Sequence, residues 1–473
     1  MNLEELRKHY DVIPIVRELS ADALTPLAAF AALSPPTAEA FLFESVERGE
    51  NVGRYSFVGF DPRRNLRFDR DAQNPVQTLR EELVPLRVYG ESTLPPFFGG
   101  AVGFFGYGVA CWSEKLPDAN PDDLNLPDAK LLFFDNVVVF DHVAQKMSVI
   151  ANIFTNDSNA SIDDANVRID RAIEKLKRAA IELLEFPSAP DDVALRSNFT
   201  RDEFEAMVRT AKEEIAAGEI FQIVVSQRFE TEFDERDAVT LYRTLRSVNP
   251  SPYMFLLRMN ECTLVGASPE MLVRVNEKVA ETRPIAGTLP RGATREEDEA
   301  IEARLLADPK ENAEHLMLVD LGRNDLGRVC ASGSVEVTRF CYIERYSHVV
   351  HLVSDVVGKL RDDRAPIDVF LSCFPAGTLS GAPKIRAMEL IDQSEKSRRA
   401  TYGGAVAYIG FSGNIDSCIL IRTVLLTNGK AYVQAGAGIV YDSDPSREYE
   451  ECVNKAAALK KAIGYAWGVL RKK

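Results

Sequence analysis

The sequence predicts an α+β protein with a large, mostly antiparallel β-sandwich flanked by helices. Two observations support this fold class. Segments rich in β-branched and aromatic residues are mixed with amphipathic helical segments in no regular order, whereas a doubly wound parallel sheet needs strict alternation of strand and helix. Strand segments also follow one another directly towards the C-terminus, which is typical of antiparallel hairpins.

The first part of the chain is predicted to contribute mainly strands. Residues 1–30 form an N-terminal arm that leads into a helix near residues 25–33. Strands are expected at residues 40–45, 54–60, 131–141 and 146–153, and an amphipathic helix at 163–185. Residues 185–197 contain two prolines and little periodicity, so they predict a boundary between a region 1–190 and a region 198–465.

A glycine-rich segment at residues 97–108 carries five glycines among aromatic residues. Its spacing does not match the GxGxxG phosphate-binding loop, and no helix-forming run follows it directly. Glycine at these positions instead indicates close packing of the backbone.

The second part of the chain mixes strands with longer helices. The helix over residues 200–217 begins with a Thr N-cap and an acidic first turn, and Gly218 ends it. The strands expected after it cover residues 221–230, 253–259, 263–267, 335–346, 351–360, 405–411, 417–427 and 430–435. The further helices cover residues 295–323, 382–391 and 446–470.

Composition and charge exclude several classes of function. The net charge of −15 disfavours nucleic acid as a partner. No apolar stretch approaches the roughly 18 residues of a membrane span, and the N-terminus does not resemble a secretory signal. Seven cysteines are scattered without a CxxC motif, which disfavours a disulfide framework or a zinc site. A reducing cytoplasm is therefore expected.

Two acidic pairs are candidate metal ligands. Glu311 and Glu314 share one helix face, as do Glu448 and Glu451, because residues three apart lie on the same side of a helix. Solvated acidic faces are the simpler alternative. Apolar or small-residue segments flank both pairs, however, and carboxylates in a partly buried site need a cation. Magnesium takes one or two carboxylates and keeps positions for substrate oxygens.

Cationic and glycine-rich segments are candidates for binding an anion. Gly436, Ala437 and Gly438 are expected in a turn whose backbone N–H groups can approach a ligand closely. Arg422 lies in an apolar strand pattern and needs an anionic partner, which is either a ligand or a structural ion pair. Together these residues predict a pocket for a dicarboxylate.

Other chemical motifs are weaker. His348 and His351 would face opposite sides of a strand, which disfavours a shared metal, and a buried histidine is more often a core residue than a catalyst. The GTLSGAPK string does not match a Walker A loop. Its Thr378 and Ser380 stand at the start of a helix, where they can bind an anion. No GxSxG motif and no glutaminase-like cysteine occur, so the chain has no evident means of making ammonia from glutamine.

Several strings in one order resemble the chorismate-utilising enzyme family, and within it the branch that forms anthranilate. They are LFES (42–45), RYSF (54–57), GEIFQIVVSQRF (218–229), NPSPYMF (249–255), GASPE (266–270), RPIAGT (283–288), DPKENAEHLMLVDLGRNDLGRV (308–329), RYSHVVHLVSDVVG (345–358), GTLSGAPKIRAMELI (377–391), YGGAVAYIG (402–410) and QAGAGIVYDSDP (434–445). The resemblance implies the fold of these enzymes, with a regulatory region 1–190 and a chorismate-binding catalytic region 198–465.

The resemblance also implies the roles of site residues. Glu314 and Glu451 match the magnesium ligands, with Glu311 and Glu448 behind them, and the ion would hold the ring carboxylate of chorismate. The matching substrate-binding positions are Gly287, Thr288, Tyr402, Arg422, Gly436, Ala437, Gly438 and Lys455. The matching catalytic positions are His351, Thr378 and Glu270, of which Glu270 matches the proposed acid for the departing hydroxyl.

Two positions separate the branches of the family. Related isochorismate and salicylate synthases place a lysine base where Gln222 stands, so water is disfavoured as the nucleophile. Aminodeoxychorismate synthases commonly carry a nucleophilic lysine where Ala286 stands, so direct attack by ammonia is expected. Leu289 replaces a usual arginine. The ammonia would come from a glutamine amidotransferase subunit.

The strings LFES and NPSPYM resemble the tryptophan feedback pocket of the family. Glu44 and Ser45 would meet the ammonium of the inhibitor L-tryptophan, and Pro252, Tyr253 and Met254 would surround its indole. Ordinary strand packing is the alternative for these residues. For the whole chain, the alternatives are an aminodeoxychorismate synthase that lacks the lysine, and a silent amino-acid sensor or scaffold that turns over no chorismate.

Overall fold

A computed structural model describes residues 3–45, 53–292, 294–345 and 349–471 of the chain. Its strands are β1 (Val12–Ser20), β2 (Ala40–Glu44), β3 (Tyr55–Phe60), β4 (Arg64–Phe68), β5 (Gly100–Phe105), β6 (Ala129–Phe134), β7 (Asn136–Asp141), β8 (Lys146–Phe154), β9 (Arg196–Ser197), β10 (Gln222–Glu232), β11 (Tyr253–Arg258), β12 (Thr263–Ser268), β13 (Met271–Asn276), β14 (Val279–Thr282), β15 (Ile285–Pro290), β16 (Glu336–Arg345), β17 (Val349–Lys359), β18 (Gly381–Ala382), β19 (Ala405–Gly410), β20 (Ile415–Ile419), β21 (Thr423–Thr427) and β22 (Lys430–Ile439). Its α-helices are α1 (Leu3–Leu6), α2 (Pro26–Leu33), α3 (Pro75–Glu82), α4 (Ile162–Lys177), α5 (Arg201–Ala216), α6 (Ala238–Val248), α7 (Arg295–Ala307), α8 (Pro309–Gly327), α9 (Pro366–Cys373), α10 (Lys384–Ser394) and α11 (Pro445–Leu470).

The strands form two large antiparallel sheets. The twelve-stranded sheet has the order β1-β8-β7-β3-β2-β11-β12-β21-β22-β10-β18, with β9 beside β10. The ten-stranded sheet has the order β15-β17-β14-β13-β20-β19-β5-β6-β4, with β16 beside β17. The predicted α+β class, a mostly antiparallel sandwich flanked by helices, is confirmed.

The sheets face each other across an aromatic core, and helices cover their outer faces. Between the sheets, the ring of Phe41 on β2 lies edge-on to Phe134 on β6, with 4.9 Å between the centroids. Helices α5, α6 and α11 bury apolar side chains against the twelve-stranded sheet, and α8 and α9 do so against the ten-stranded sheet. Burial of these faces is the main force that holds the layers together.

Two segments predicted as single strands are each divided between the sheets, so these predictions are wrong. The segment 131–141 forms β6 in one sheet and β7 in the other, with the chain crossing at Asp135. The segment 417–427 forms β20 and β21, with the chain crossing at residues 420–422. An apolar strand pattern reports which faces are buried, but it does not report which sheet supplies the hydrogen bonds.

Other element boundaries also differ from the predictions. The helix predicted over residues 295–323 is two helices, because Asp308 caps the backbone N–H groups of Lys310 and Glu311 and Pro309 occupies the first turn of α8. The helix predicted over residues 163–185 ends at Lys177. The N-terminal arm contains β1, which pairs along its whole length with β8. The Thr200 cap of α5 and the C-terminal helix α11 are confirmed.

Strands from both sides of the boundary at residues 185–197 pair within each sheet. Met254 on β11 pairs with Glu44 on β2, and Ala405 on β19 pairs with Phe105 on β5. The division into a regulatory region 1–190 and a catalytic region 198–465 therefore stays a prediction about function. The packing of Gly103 agrees with the close backbone approach expected of the glycine-rich segment, since a Cβ there would lie 1.9 Å from the carbonyl oxygen of Lys130.

All seven cysteines lie in the described part of the chain and are free thiols, as expected. Among the described helices, none combines the length and the apolar character that a membrane span requires.

Candidate active site

The crossing between β20 and β21 places Arg422 at the edge of a cleft formed with α11. Arg422 has a left-handed backbone (φ 50°), which fits the abrupt change of direction. Its Nη1 atom donates a 2.9 Å hydrogen bond to the carbonyl oxygen of Lys455. Burial lowers the pKa of Arg422, and Tyr402 and Glu451 act in the opposite direction. The guanidinium thus lies among the residues predicted to bind substrate.

Lys455 connects α11 to the glycine-rich end of β22. Its Nζ atom lies 2.6 Å from Glu451 Oε1 and donates a 3.1 Å hydrogen bond to the carbonyl oxygen of Gly436. Lys455 follows Glu451 by four residues and so lies one helical turn away on the same face. The predicted metal ligand Glu451 and the predicted substrate-binding residue Lys455 are therefore direct neighbours.

The turn predicted at Gly436, Ala437 and Gly438 is wrong, because these residues belong to strand β22. They pair with β10, so their backbone groups take part in the sheet. A Cβ at Gly436 would lie 2.5 Å from the carbonyl oxygen of Val225 and 3.0 Å from the hydroxyl oxygen of Tyr402. The glycine is needed for this close approach, and contact of this segment with substrate stays a prediction.

Tyr402 is buried beside Gly436, and burial raises the pKa of its hydroxyl. The guanidinium carbon of Arg399 lies 5.5 Å from the centre of its ring. Arg399 also donates hydrogen bonds to the carbonyl oxygens of Leu379 and Val224. Sequence reasoning missed Arg399, which joins Tyr402, the turn that carries Thr378 and strand β10. The sequence did contain a signal, because Arg399 is the second of two consecutive arginines that precede a segment of mostly small residues.

Glu270 and Thr378 meet in the same region. Glu270 follows β12, and Thr378 lies in a short 3-10 helix, Gly377–Leu379. The Thr378 hydroxyl donates a 2.8 Å hydrogen bond to Glu270 Oε1. Burial raises the pKa of Glu270 to about 7, although Thr378 and Lys455 each act to lower it. A carboxyl with this pKa retains its proton for part of the time at neutral pH and can act as a general acid.

Ser380, two residues further on, does not support the anion-binding role expected from its position. Its side chain is fully buried, and its hydroxyl donates a 3.0 Å hydrogen bond to the carbonyl oxygen of Ala376. Ser380 therefore stabilises the turn that presents Thr378.

His351 lies on β17 opposite Thr288 of β15. Its Nδ1 atom is 3.1 Å from the carbonyl oxygen of Gly287 and 3.0 Å from the hydroxyl oxygen of Thr288. Burial lowers the pKa of His351, the bond to Gly287 and the charge of Glu344 raise it, and Arg422 lowers it. Because Nδ1 donates to Gly287, Nε2 is the basic nitrogen of the neutral ring. His348 lies outside the described residues, so the predicted orientation of the two histidines stays untested.

The two predicted acidic pairs lie near the N-termini of α8 and α11, with Glu311 and Glu448 in the first turns and Glu314 and Glu451 one turn further along. Burial and the neighbouring Glu314 raise the pKa of Glu311, which lies close to Gly287. Burial and Glu451 likewise raise the pKa of Glu448, while Ser443 and the charge of Lys310 lower it. Lys310 of α8 thus lies within electrostatic range of Glu448 of α11.

The donor chemistry of these turns fits magnesium. Carboxylate oxygens are its preferred protein ligands. Burial and, to a smaller extent, the neighbouring carboxylates raise the pKa values of Glu311 and Glu448, and a divalent ion would offset both effects. Glu451 is half-exposed and is held by Lys455. Among the residues that the structure describes, no group of three or more His, Cys, Asp or Glu side chains forms a ready metal centre. The magnesium assignment therefore stays a prediction.

The cleft beside α11 contains polar residues that sequence reasoning did not select. Asn249, Arg447 and Asn454 line it together with Arg422 and Lys455. On α11 the signal was present, because Arg447, Glu451 and Asn454 recur at helical spacing on one face.

A second cavity, which we call the inter-sheet cavity, has a volume of about 610 Å³ and lies between the two sheets. All five residues predicted to bind tryptophan line it: Glu44, Ser45, Pro252, Tyr253 and Met254. The buried carboxylate of Glu44 accepts a 2.6 Å hydrogen bond from Tyr242 and lies 3.4 Å from Arg246 Nη2. The Tyr253 hydroxyl donates a 3.1 Å hydrogen bond to Asp416. The structure thus brings the predicted set together, and its ligand stays a prediction.

Glu270, which retains its proton for part of the time at neutral pH, lies in the same region as Arg422, Lys455 and the two acidic pairs. Together these groups define a site for an anionic substrate. Residues 38–461 match the protein family described as "chorismate binding enzyme". The chain belongs to this family, so the resemblance seen in the motifs is confirmed.

Relatives and solved structures agree with this membership. The chain is 46% identical over 478 residues to anthranilate synthase component 1 of Acetivibrio thermocellus, covering 97% of this chain and 96% of the relative. It is 46% identical over 485 residues to the component 1 of Aquifex aeolicus, covering 98% of each. The crystal structure of anthranilate synthase component I from Streptococcus pneumoniae superposes with a TM-score of 0.79 at 36% identity, covering 93% of this chain and 99% of that one. The menaquinone-specific isochorismate synthase of Escherichia coli shares the fold, with a TM-score of 0.71 at 20% identity over 98% of each chain.

Proposed function

We propose that the chain is the chorismate-converting component of an anthranilate synthase, which forms anthranilate and pyruvate from chorismate and ammonia. The observation that carries this proposal is the hydrogen bond from Thr378 to Glu270, a carboxyl whose pKa is raised to about 7 beside the cationic residues of the cleft. The similarity to anthranilate synthase component 1 over nearly the whole chain supports the choice of reaction. This reaction would be the first committed step of tryptophan biosynthesis.

Chorismate is a dianion with a ring carboxylate and an enolpyruvyl carboxylate. The ring carboxylate would be held through magnesium on Glu314 and Glu451, and the enolpyruvyl carboxylate by cationic and polar side chains. Arg422 and Tyr402 would bind the enolpyruvyl carboxylate, with Lys455 adding a second positive charge near Glu270. Gly287 and Thr288 would form another wall beside His351. Fixing both ends orients the ring, which lowers the entropic part of the barrier.

Glu270 would act as the general acid for the first step. Hydroxide is a poor leaving group, so the ring hydroxyl must gain a proton as its C–O bond breaks. Ammonia attacks the ring as water departs, and the resulting amine loses the extra proton. Thr378 holds one carboxyl oxygen of Glu270, which fixes the direction of the acid.

The second step removes a ring proton and releases the enolpyruvyl group as pyruvate, which makes the ring aromatic. His351 would accept that proton, which is supported by the burial that lowers its pKa and by the hydrogen bond that its Nδ1–H donates to Gly287. Glu314 and Glu451 would hold magnesium, with Glu311 and Glu448 behind them. When bound, the ion neutralises the ring carboxylate and stabilises charge that develops during the reaction.

Two residues favour ammonia as the direct nucleophile. Gln222, at the start of β10, lies beside Gly438 and cannot deprotonate water as a lysine could. Ala286 on β15 offers no nucleophile for a covalent intermediate. These positions disfavour isochorismate formation and the lysine-dependent form of aminodeoxychorismate synthesis.

The remaining parts of the proposal concern partners and regulation. A glutamine amidotransferase subunit would supply ammonia, in line with the name "component 1" of the relatives. L-tryptophan would inhibit the enzyme by binding in the inter-sheet cavity, because all five predicted residues line that space. We place the enzyme in the cytoplasm, without nucleic acid or membrane as a partner.

The alternative is component I of an aminodeoxychorismate synthase in the folate pathway. The experiment that separates the two is a fluorescence assay with chorismate, magnesium and ammonium as the only nitrogen donor. Anthranilate fluoresces as it forms, whereas aminodeoxychorismate yields an aromatic product only after a separate lyase is added. Fluorescence that appears only with the lyase would favour the alternative. No turnover under either condition would favour the sensor or scaffold hypothesis.

A further inference from the structure

Arg283 lies between the inter-sheet cavity and the candidate active site. It follows β14 directly and lines the cavity together with Asp355 on β17 and Arg339 on β16. Its Nε atom lies 3.2 Å from Asp355 Oδ1, and its Nη2 atom forms an ion pair with Glu344 on β16. One guanidinium therefore binds two carboxylates, one of which lines the cavity while the other does not.

Strand register brings Glu344 next to His351. The two residues pair directly across β16 and β17, and Tyr342 pairs with Val353 in the same ladder. Directly opposite residues of antiparallel strands place their side chains on the same face of the sheet, with Cβ atoms about 5 Å apart. Residues at intervals of two along a strand also share a face, so His351 and Asp355 lie on one face of β17, about 13 Å apart along the strand.

The ion pair between Arg283 and Glu344 is largely shielded from water. The side chains are 21% and 17% exposed, and Asp355 is 13% exposed. Tyr342 reinforces the group, because its hydroxyl donates a 2.9 Å hydrogen bond to Asp355 and accepts one of 2.9 Å from Arg283. Limited exposure makes the charges act more strongly on each other and on their neighbours than they would in bulk water.

We propose that Arg283 is a positioning residue that couples occupancy of the inter-sheet cavity to His351 through Glu344. The inference rests on the proposed function, because it gives regulation to the site described above. The cavity also presents the guanidinium groups of Arg54, Arg274 and Arg339 and the carboxylates of Glu44, Glu281, Asp355 and Asp416. Groups of both signs suit a zwitterionic ligand such as an amino acid. A carboxylate that binds Arg283 competes with Glu344 for the guanidinium and leaves the charge of Glu344 acting on His351.

The consequence follows from the charges around His351. Among the described residues, Glu344 from β16 and Arg422 from the crossing before β21 are the charged groups that act on its pKa. Glu311 of α8 lies near Gly287, to which His351 donates. Weaker neutralisation of Glu344 favours the protonated imidazole. A protonated His351 cannot accept the ring proton, so cavity occupancy would slow the second step of the reaction.

The test measures the titration of His351 by NMR of ring-labelled histidine, with the signal assigned through His351→Gln. Three variants are compared with the parent protein: Arg283→Met, Glu344→Gln and the control Arg345→Met. Arg345 is the next residue on β16 and forms an ion pair with Glu302 of α7. We expect Arg283→Met to raise the pKa of His351, Glu344→Gln to lower it and Arg345→Met to leave it unchanged. The proposal would be overturned if the pKa of His351 moved in the same direction in Arg283→Met and Glu344→Gln. A general disturbance of the structure would not produce opposite shifts in these two variants.

The second part of the test adds L-tryptophan as the probe, with binding measured by calorimetry. We expect bound tryptophan to raise the pKa of His351 in the parent protein and in Arg345→Met, and to have no further effect in Arg283→Met. The inhibition of anthranilate formation should weaken about tenfold in Arg283→Met, within the usual range of coupling between two sites. Bound tryptophan that leaves the pKa of His351 unchanged in the parent protein would overturn the coupling.

Should tryptophan not bind, the proposed feedback fails. The opposite shifts in the ligand-free variants still decide whether Arg283 acts on His351. Arg283→Gln, which removes the charge but keeps a hydrogen-bonding side chain, replaces the methionine variant if that variant does not fold.

Discussion

The Thr378 hydroxyl donates a 2.8 Å hydrogen bond to Glu270 Oε1. The two residues are 108 positions apart in the chain. Glu270 follows a strand of the twelve-stranded sheet, and Thr378 belongs to the turn that precedes β18 and α10. The bond favours the ionised carboxyl while burial favours the neutral one, and burial is the larger effect. This balance keeps the pKa of Glu270 at about 7, where a general acid works well at neutral pH.

The variant Thr378→Val should shift the pH dependence of the reaction. A general acid is active while it holds its proton, so kcat should fall as the pH rises past about 7 in the parent enzyme. Loss of the Thr378 hydroxyl removes a bond that lowers the pKa of Glu270, so the fall should move to higher pH. Ammonium-dependent anthranilate formation, measured across pH at saturating ammonia, gives this profile. Thr78→Val, which removes a hydroxyl that makes a solvent-exposed hydrogen bond on α3, is the control. A fall at the same pH in Thr378→Val would separate Glu270 from the titration.

The variant Glu270→Gln should be inactive yet more stable at alkaline pH. The folded-state pKa of about 7 lies above the ordinary value of 4.5, so the unfolded state ionises first as the pH rises and the parent protein loses stability between these values. Above pH 7 the full difference, about 3 kcal/mol, opposes folding. Urea unfolding should show a gain for the variant of up to about 3 kcal/mol near pH 8.5 and almost none at or below pH 4.5. An equal gain at both pH values would show that the carboxyl is not the cause.

The variant Arg422→Met should weaken chorismate binding more than it slows chemistry. The guanidinium would contact a carboxylate in both the ground state and the transition state, and removal of such uniform binding raises KM. A charged hydrogen bond of about 2 to 3 kcal/mol corresponds to a rise of roughly 30- to 150-fold. Steady-state kinetics with ammonium separates KM from kcat. Arg209→Met, which removes an exposed arginine of α5, is the control. A loss confined to kcat would place Arg422 in a different role.

The variant Ser45→Phe should relieve inhibition by tryptophan. Ser45 lines the inter-sheet cavity close to Gly53, whose Cβ would lie 2.0 Å from the Cβ of Ser45 if it carried one. Because Ser45 lines the cavity, we expect a phenyl ring at this position to extend into it and take the place of the ligand. Inhibition curves with increasing tryptophan measure the effect, and activity without tryptophan serves as the internal reference. Unchanged inhibition would remove the assignment of this cavity.

The sequence was a good guide to local structure where one rule dominates. The Thr200 cap illustrates this, because an N-cap depends only on the next three residues. The division of long strand patterns at Asp135 and Arg422 was not predictable, because both halves are buried and differ only in their distant partners. The glycines of β22 have no side chains to show periodicity, so a strand there looked like a turn.

The acidic pairs and Arg422 were candidates from their local pattern, whereas the catalytic roles of Glu270, Thr378 and His351 were predicted only through the resemblance to a family. Nothing near Glu270 in the chain indicates that Thr378 contacts it, since that contact depends on the whole sandwich. No local pattern indicates the role of Arg283 either. Its two carboxylate partners come from β16 and β17, more than fifty residues away. Long-range strand pairing thus creates the electrostatic features that single segments cannot show.

The magnesium dependence of anthranilate formation tests the proposed chemistry most directly. Glu314 near the start of α8 and Glu451 near the start of α11 are proposed to hold the ion that binds the ring carboxylate, while Arg422 binds the other end. With chorismate and ammonium as substrates, EDTA should abolish activity and added magnesium should restore it. Glu314→Gln should need at least about tenfold more magnesium, whereas Glu389→Gln on α10 should behave like the parent enzyme. Full activity in EDTA, or an unaltered magnesium requirement in Glu314→Gln, would contradict the proposed site.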